Sequence, residues 1–325
     1  MSALPRIVVL DDWEQAFERL ADWSELRERA DVALHSQPLV SAALHEAVRD
    51  ADVLVLMRDR TRVDEALLER MPRLRHLIYT GTRNQALDSE ALARRGVSVG
   101  HTEWGPSKAS TCEHTWSLIL AAVRRLEEQM ALVRQGSWRA ATPRPAADVL
   151  AGERLGLIGL GEIGGRVARV GLAFGMQVVA WSPHMTPERA AAHGAMAVPL
   201  ESLLGSSRVV SLHLVPSADT RRLIDAARLA LMRSDALLVN TARAALVDMP
   251  ALRQALVERR IGGAAIDVFD AEPLAPDDPW RGIGNAVLTP HTGFVAEPVL
   301  LRFASSVVRQ LLDWLDQQAD AGRAP

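Results

Sequence analysis

Three residue types are almost absent from this sequence. Among its 325 residues there is one lysine (Lys108), one tyrosine (Tyr79) and one cysteine (Cys112). A P-loop requires a Gly-Lys pair, and the chain contains none. A single cysteine can form neither an internal disulfide nor a zinc site built from several cysteines, so we expect no metal site and a reducing, cytoplasmic compartment.

Lysine is replaced by arginine throughout, since lysine and arginine together number 37. The 40 acidic residues outweigh these cations and give a net charge of −3. The arginines are scattered along the chain, which argues against a nucleic-acid partner. The apolar stretch Ser117–Val123 is far shorter than the roughly 20 residues that span a bilayer, so no membrane partner is expected either.

Short apolar runs alternate with amphipathic stretches, and this alternation occurs twice along the chain. Such alternation predicts an α/β protein with two doubly wound parallel sheets, one after the other. The predicted strands are Arg6–Leu10, Asp31–His35, Asp52–Met57, Leu74–Thr80, Val97–Gly100, Arg154–Gly159, Gln177–Ser182, Arg208–Leu214, Ala236–Thr241, Gly263–Val268 and Ala286–Thr289. The predicted helices include Val63–Met71, Ser110–Arg134 and Pro298–Gln318, with a loop over Gly136–Asp148.

A glycine-rich turn follows the strand predicted at Arg154. The segment Gly159-Leu160-Gly161-Glu162-Ile163-Gly164 has the pattern G-x-G-x-x-G, with a strand before it and a helix after it. In this context the glycines allow a tight turn and close approach of a pyrophosphate to a helix N-terminus. Ser182 stands where an acid usually holds the ribose hydroxyls, so both NAD(H) and NADP(H) are admissible cofactors.

The scarce residues eliminate other classes of dehydrogenase. A short-chain reductase needs Tyr-x-x-x-Lys, but Arg83 stands four residues after Tyr79. Four motifs instead resemble the D-isomer-specific 2-hydroxyacid dehydrogenase family across nearly the whole chain. These motifs are Leu157–Gly164, Val239–Asp248, Ala265–Pro273 and Leu288–Thr292, supported by Tyr79–Asp88.

The resemblance implies a Rossmann cofactor domain inserted into a flavodoxin-like substrate domain. The expected bounds are 106–292 for the cofactor domain and 1–105 with 293–325 for the substrate domain. It also implies a D-stereospecific oxidoreductase that moves a hydride between NAD(P)(H) and a small 2-hydroxy acid/2-oxo acid pair. Glyoxylate and hydroxypyruvate are the favoured substrates, and family members are usually homodimers.

A catalytic triad is carried over from the family by position. Arg243 would grip the carboxylate and keto oxygen of the substrate. His291 would protonate the keto oxygen as the hydride arrives and act as the base in the reverse direction. Glu272 would hydrogen-bond to His291 and orient its ring.

Further positions match family residues that contact the cofactor or substrate. The resemblance places Thr241, Ala242 and Asp267 at the nicotinamide, and Glu113-His114 beside the cofactor. Thr80 and Gly81 match a loop whose backbone N–H groups meet the substrate carboxylate, and Arg58 is a candidate for selecting the substrate tail. The complete cofactor set is Gly159, Gly161, Glu162, Ile163, Gly164, Ser182, Thr241, Ala242 and Asp267.

One departure from the family pattern concerns the catalytic arginine, since Ala244-Ala245 follow Arg243 where glycine is common. An alanine restricts that turn to ordinary φ values. A degenerate copy with little activity is therefore one alternative. Another is a non-catalytic NAD(H)-sensing interaction protein, because corepressors on this scaffold keep a similar triad. Phosphite dehydrogenase also uses such a triad and is not excluded.

Overall fold

The computed structural model describes residues 4–139 and 146–321. The chain divides into two compact units, unit 1 (Met1–Ser107 with Val295–Pro325) and unit 2 (Lys108–Phe294). Each boundary lies two residues beyond the one expected from the sequence. Part of the predicted loop Gly136–Asp148, residues 140–145, lies outside the described residues.

Unit 1 contains a five-stranded parallel sheet in the order β2-β1-β3-β4-β5. This strand order is that of the flavodoxin-like fold, which reverses direction between its first and third strands. Apolar β-branched and leucine residues fill β1 and β3 because helices cover both faces of the sheet. The strands are β1 (Arg6–Leu10), β2 (Asp31–Leu34), β3 (Val53–Leu56), β4 (His76–Tyr79) and β5 (Ser98–His101).

Unit 2 contains a seven-stranded parallel sheet in the order β12-β11-β10-β9-β6-β7-β8. Its strand order is that of the Rossmann fold with one additional edge strand, and the order reverses between β6 and β9. The predicted fold class is thereby confirmed for both sheets. The strands are β6 (Arg154–Ile158), β7 (Gln177–Trp181), β8 (Met196–Ala197), β9 (Val209–Leu212), β10 (Leu237–Asn240), β11 (Gly263–Ile266) and β12 (Ala286–Leu288).

Thirteen α-helices connect or flank these strands in the described residues. They are α1 (Ala16–Leu20), α2 (Ser24–Arg29), α3 (Ser41–Val48), α4 (Glu65–Leu68), α5 (Ser89–Arg94), α6 (Ser107–Arg124), α7 (Leu126–Arg134), α8 (Glu162–Ala173), α9 (Pro187–Ala191), α10 (Leu200–Ser206), α11 (Ala226–Leu229), α12 (Met249–Val257) and α13 (Glu297–Ala321).

The single helix predicted over Ser110–Arg134 is wrong, because it is divided into α6 and α7. Arg125 adopts a left-handed conformation with φ 54°, which ends one helix and begins the next. The helix predicted over Val63–Met71 is also shorter, since α4 covers only Glu65–Leu68 with Asp64 as its N-cap. The final helix α13 extends beyond its predicted ends and buries one apolar stripe within unit 1.

Candidate active site

The three residues of the predicted triad follow three neighbouring strands of unit 2. Strand β11 lies between β10 and β12, and all three run in parallel. Arg243 comes after β10, Glu272 after β11 and His291 after β12. Because the carboxyl ends of parallel strands meet at one edge of the sheet, the fold brings these three turns to the edge where ligands bind in open α/β sheets.

Glu272 and His291 form a direct acid–base pair. His291 Nδ1 lies 2.7 Å from Glu272 Oε2, and both side chains are a little over one quarter exposed. The other carboxylate oxygen, Glu272 Oε1, accepts a hydrogen bond from the backbone N–H of Phe269 at 2.8 Å. The carboxylate is therefore held at both oxygens, and its bond to Nδ1 leaves Nε2 as the ring nitrogen that can exchange a proton with a substrate.

The turn that carries His291 is held by a buried carboxylate. His291 has a left-handed backbone with φ 56°, which is strained for a residue other than glycine. On its C-terminal side, Asp267 Oδ1 accepts from the Thr292 N–H and Asp267 Oδ2 from the Gly293 N–H, both at 2.9 Å. Thr289 Oγ1 also donates to Asp267 Oδ1 at 2.6 Å. Asp267 thus fixes both ends of the turn around His291.

His114 of α6 completes this network. Its Nε2 lies 3.2 Å from Asp267 Oδ1 and 3.0 Å from Thr289 Oγ1. Burial is the largest single influence on the pKa of Asp267 and raises it. The hydrogen bonds from His114, Thr289 and Thr292 together outweigh burial, so the pKa of Asp267 lies below its usual value. Sequence reasoning assigned Asp267 to the nicotinamide and missed this internal network, whose members lie far apart along the chain.

Arg243 is positioned by the side chain of Asn240 at the end of β10. The Asn240 amide donates to the Arg243 carbonyl at 2.9 Å, and its oxygen accepts from the Ala242 N–H at 3.0 Å. Asn240 therefore stabilises the turn. The Arg243 guanidinium donates a hydrogen bond to the Ala242 carbonyl at 2.8 Å. Ala244 begins a 3-10 helix, Ala244–Leu246, at ordinary φ values, so the turn closes without the glycine that is common in the family.

The glycine-rich turn joins β6 to α8 at the point where the strand order reverses. Gly159 has φ 99°, and a Cβ there would lie 2.8 Å from the backbone of His213. A Cβ on Gly164 would overlap the carbonyl oxygen of Gly159, so the third glycine is required for helix–strand contact. By contrast, a Cβ on Gly161 would meet nothing within 4 Å. Gly161 therefore faces open space at the N-terminus of α8, as expected for a glycine that a pyrophosphate approaches.

The remaining predicted cofactor residues lie at the same edge of the sheet. Ser182 directly follows β7, and Thr241 and Ala242 directly follow β10. The hydroxyl of Thr241 lies 2.9 Å from that of Thr115 on α6. Beyond Ser182, the guanidinium of Arg189 on α9 donates to the His184 carbonyl at 2.7 Å, so a cation is bonded to the turn that follows β7.

His213 follows β9 beside the glycine-rich turn, and the sequence reasoning did not single it out. Its Nε2 lies 2.9 Å from Ser211 Oγ. Burial lowers the pKa of His213 to about 4, so the ring is neutral near neutral pH. A neutral ring adds no charge beside the turn.

In unit 1, the loop Thr80–Asn84 follows β4 at the carboxyl edge of its sheet. The Thr80 N–H donates to the Leu56 carbonyl at 3.0 Å, and the Gly81 N–H donates to Thr102 Oγ1 at 2.8 Å. Both of these N–H groups are therefore committed within unit 1, and binding of the substrate carboxylate by this loop stays a prediction. The next two N–H groups along the loop, at Thr82 and Arg83, have no acceptor among the described residues.

Arg58, the candidate for selecting a substrate tail, is also directed inward. Its guanidinium is buried and donates to the Thr80 carbonyl at 2.9 Å and to the Arg83 carbonyl at 3.2 Å. These contacts hold the guanidinium within unit 1, and they do not test its expected role in selecting a substrate tail.

No cluster of three or more histidine, cysteine or acidic side chains is placed to bind a metal within residues 4–139 and 146–321. The same residues include no helix that is long and apolar enough to span a membrane.

The site in unit 2 combines a dinucleotide-type glycine turn with an acid–base pair and an arginine at one sheet edge. These features define a nicotinamide-dependent oxidoreductase.

Comparison with known proteins gives the family. Residues 116–293 match the model for the D-isomer specific 2-hydroxyacid dehydrogenase, NAD binding domain. A glyoxylate reductase from Aeropyrum pernix is 38% identical over 95% of this chain and 92% of its own length. The chain belongs to the D-isomer specific 2-hydroxyacid dehydrogenase family, as the sequence motifs predicted.

Solved structures agree in fold along almost the entire chain. A phosphoglycerate oxidoreductase from Vibrio cholerae aligns with TM-score 0.89 and 29% identity, covering 97% of this chain and 99% of the other. A D-lactate dehydrogenase from Aquifex aeolicus, complexed with NAD and lactic acid, aligns with TM-score 0.77 and 25% identity, covering 97% and 96%. The protein is thus an enzyme that transfers a hydride between NAD(H) or NADP(H) and a 2-hydroxy acid/2-oxo acid pair.

Proposed function

We propose that this enzyme reduces glyoxylate, or the closely related hydroxypyruvate, to the corresponding 2-hydroxy acid, with D stereospecificity for hydroxypyruvate. The observation that carries the proposal is the His291–Glu272 pair at 2.7 Å on the sheet edge that also carries Arg243. An acid–base group and a guanidinium are what reduction of a 2-oxo acid requires. The similarity to a glyoxylate reductase supports the choice of a small substrate.

The residues of unit 2 divide the chemistry between them. Arg243 binds the carboxylate and keto oxygen of the substrate and so places the keto carbon for reaction. His291 donates a proton from Nε2 to the keto oxygen, and Glu272 stabilises the protonated ring through Nδ1. In the reverse direction His291 Nε2 accepts the proton of the hydroxyl group. The nicotinamide, when bound, supplies or accepts the hydride.

The glycine-rich turn fits a dinucleotide. The open space at Gly161 and the N-terminus of the twelve-residue helix α8 suit a pyrophosphate, which the backbone N–H groups of Glu162 and Ile163 would bind. Gly159 and Gly164 would shape the turn. Ser182 would meet the ribose, and Thr241, Ala242 and Asp267 would lie at the nicotinamide end of the same edge.

The resemblance also assigns binding of a substrate carboxylate to a loop of unit 1. The loop Thr80–Asn84 remains the candidate, but the N–H groups of Thr82 and Arg83 take the role expected of Thr80 and Gly81. Two adjacent N–H donors can bind one carboxylate through two hydrogen bonds.

The test is oxidation of NADH and NADPH, followed by absorbance, with a panel of 2-oxo acids that includes glyoxylate, hydroxypyruvate and pyruvate. Turnover with the two small substrates is expected, and Arg243→Ala and His291→Ala should each lower kcat/KM by at least about 100-fold. His45→Ala, an exposed histidine of α3 in unit 1, serves as the matched control and should retain the wild-type rate. A flat absorbance trace with every acid, while dinucleotide still binds, would remove the proposed activity.

We also propose that the enzyme is a homodimer that associates through α7. Although α7 is amphipathic, none of its residues is buried, and Met130 and Val133 are 49% and 58% exposed. Leu126, four residues before Met130 on the same helix, is 43% exposed and extends this apolar surface. Such a patch on one helix is typical of an interaction surface.

A cytoplasmic location is a further proposal, supported by the single free cysteine, Cys112.

A further inference from the structure

Arg58 is bound through its backbone to the loop that follows the neighbouring strand. It lies two residues after β3 with a left-handed φ of 58°. Its N–H donates to Thr80 Oγ1 at 3.0 Å, and its carbonyl accepts from the Asn84 side-chain amide at 2.7 Å. These two hydrogen bonds join Arg58 to the first and last residues of the loop Thr80–Asn84. They also hold Arg58 in a backbone conformation that an L-residue rarely adopts.

The Arg58 side chain also forms hydrogen bonds to the same loop. Its Nη1 donates to the carbonyl oxygens of Thr80 at 2.9 Å and Arg83 at 3.2 Å. The side chain is only 9% exposed, and Asp59 lies 3.8 Å from its Nη2. Because one guanidinium nitrogen bonds carbonyls three residues apart, the peptide units between them are fixed relative to each other.

Trp104 completes this support from the other side. The Arg58 guanidinium carbon lies 4.2 Å from the centroid of the Trp104 ring, and Trp104 Nε1 donates to Thr82 Oγ1 at 2.5 Å. A Cβ on Gly81 would overlap Arg58 Nη1, so the loop can lie this close only with glycine at that position. Gly81 also has φ 84°, which favours glycine for a second reason.

We propose that Arg58 is a positioning residue for substrate binding, which holds the N–H groups of Thr82 and Arg83 in the arrangement that receives the substrate carboxylate. The inference rests on the proposed function and replaces selection of the substrate tail as the role of Arg58. Substrate recognition then depends on an arginine that does not itself touch the substrate. A lysine would keep the charge but lose both the planar stacking and the fork of donors.

The chain offers a matched control two residues away. Arg60 is also 9% exposed, and its guanidinium carbon lies 4.1 Å from the centroid of the Trp13 ring. Its hydrogen bonds go to both carboxylate oxygens of Glu14, at 2.6 and 2.8 Å, and to the Asp11 carbonyl at 2.7 Å. Arg60 therefore resembles Arg58 in burial and stacking, but these bonds do not reach the loop Thr80–Asn84.

The test compares Arg58→Lys with Arg60→Lys by hydrogen–deuterium exchange of the peptide that spans residues 80–87. Oxalate serves as the probe, because it presents a carboxylate like that of a 2-oxo acid but accepts no hydride. We expect faster exchange in Arg58→Lys and at least tenfold weaker protection by oxalate, with wild-type behaviour in Arg60→Lys. Unchanged exchange and protection in Arg58→Lys would overturn the proposal, as would an equal effect of Arg60→Lys.

Steady-state kinetics add a second readout. In Arg58→Lys the KM for glyoxylate should rise at least tenfold, whereas the KM for the dinucleotide should change less than twofold. An equal rise in both KM values would show general structural damage and contradict a specific role. If Arg58→Lys does not fold, Trp104→Phe keeps a smaller aromatic ring beside Arg58 and removes the bond to Thr82. It should raise the KM for glyoxylate by a smaller factor, and no rise would count against the proposal. Absent turnover in the wild type would refute the proposed function alone, because exchange and oxalate protection still report on Arg58.

Discussion

At the scale of single residues, the acid–base pair depends on the number of acceptors at Glu272. Its carboxylate accepts from Phe269 N at one oxygen and bonds His291 Nδ1 at the other. A glutamine has one acceptor oxygen, so Glu272→Gln must leave one of these two donors without a partner. We predict that kcat for glyoxylate falls by about 100-fold or more, within the range expected for general acid–base catalysis.

Steady-state kinetics with a saturating dinucleotide would measure this change. Glu201→Gln, at an exposed position on α10, is the control for loss of one negative charge and should leave kcat unchanged. Wild-type kcat in Glu272→Gln would show that His291 is oriented by other contacts.

A second prediction at this scale concerns stability at acid pH. Burial lowers the pKa of His213 from 6.5 to about 4. Below pH 6.5 the unfolded chain takes up a proton at this residue that the folded chain does not, so stability present above pH 6.5 is lost as the pH falls towards 4. From the size of the shift, this loss amounts to at most about 3 kcal/mol, and the half-buried position of the residue reduces it.

Urea unfolding at a series of pH values would isolate this contribution. His213→Gln should lose less free energy of unfolding between pH 6.5 and 4 than the wild type does. The carboxylates titrate in both proteins, so the difference between the two curves reports on His213. Parallel curves would mean that His213 is readily protonated in the folded enzyme.

At the scale of secondary-structure elements, Gly161 before α8 and Gly164 in its first turn have different physical roles. The Cβ of Gly164→Ala would overlap the Gly159 carbonyl oxygen and push α8 away from the strand. The Cβ of Gly161→Ala meets no protein atom within 4 Å and would occupy only the space proposed for the pyrophosphate. We predict that Gly164→Ala lowers the free energy of unfolding by about 1–3 kcal/mol, whereas Gly161→Ala leaves it within about 0.5 kcal/mol.

Dinucleotide titration would separate the two variants further. Gly161→Ala should weaken binding of NADH and NADPH at least tenfold while remaining as stable as the wild type. Normal affinity in Gly161→Ala would place the pyrophosphate elsewhere than at the N-terminus of α8.

The elements themselves were largely predictable from the sequence. Buried parallel strands produce continuous apolar runs such as Arg6–Leu10 and Val53–Leu56, and glycine spacing marked the turn after β6. The break between α6 and α7 was not predictable, because Arg125 adopts positive φ without a glycine or proline to signal it. The two-residue strand β8 is too short to show any periodicity.

The site was predictable as a set of positions but not as a set of contacts. Motif matches indicated Arg243, Glu272 and His291, and the structure places them after three neighbouring strands. The sequence could not show that Asp267 holds the turn around His291, or that the Thr80 and Gly81 N–H groups are already committed. Such contacts join residues 20 or more positions apart, and they depend on strand register rather than on any local pattern.

At the scale of the whole molecule, α7 exposes apolar area that a solitary chain would leave in water. Leu126, Met130 and Val133 recur at intervals of four and three residues, so they lie along one face of the helix. Exposed apolar surface of this kind is typical of an interaction surface, and in the proposed homodimer the same patch would be covered on both partners.

The last prediction follows from this surface. The double variant Met130→Asp/Val133→Asp would place two charges on the proposed contact, where burial of an unpaired carboxylate is strongly unfavourable. Sedimentation velocity should give the wild type about twice the 35.4 kDa mass of one chain and the double variant the mass of one chain. Val257→Asp, on α12 and 66% exposed in the wild type, is the control for adding a charge at an exposed apolar position and should leave the mass unchanged. A wild type that sediments as one chain, or a double variant that remains twice that mass, would show that α7 does not form the interface.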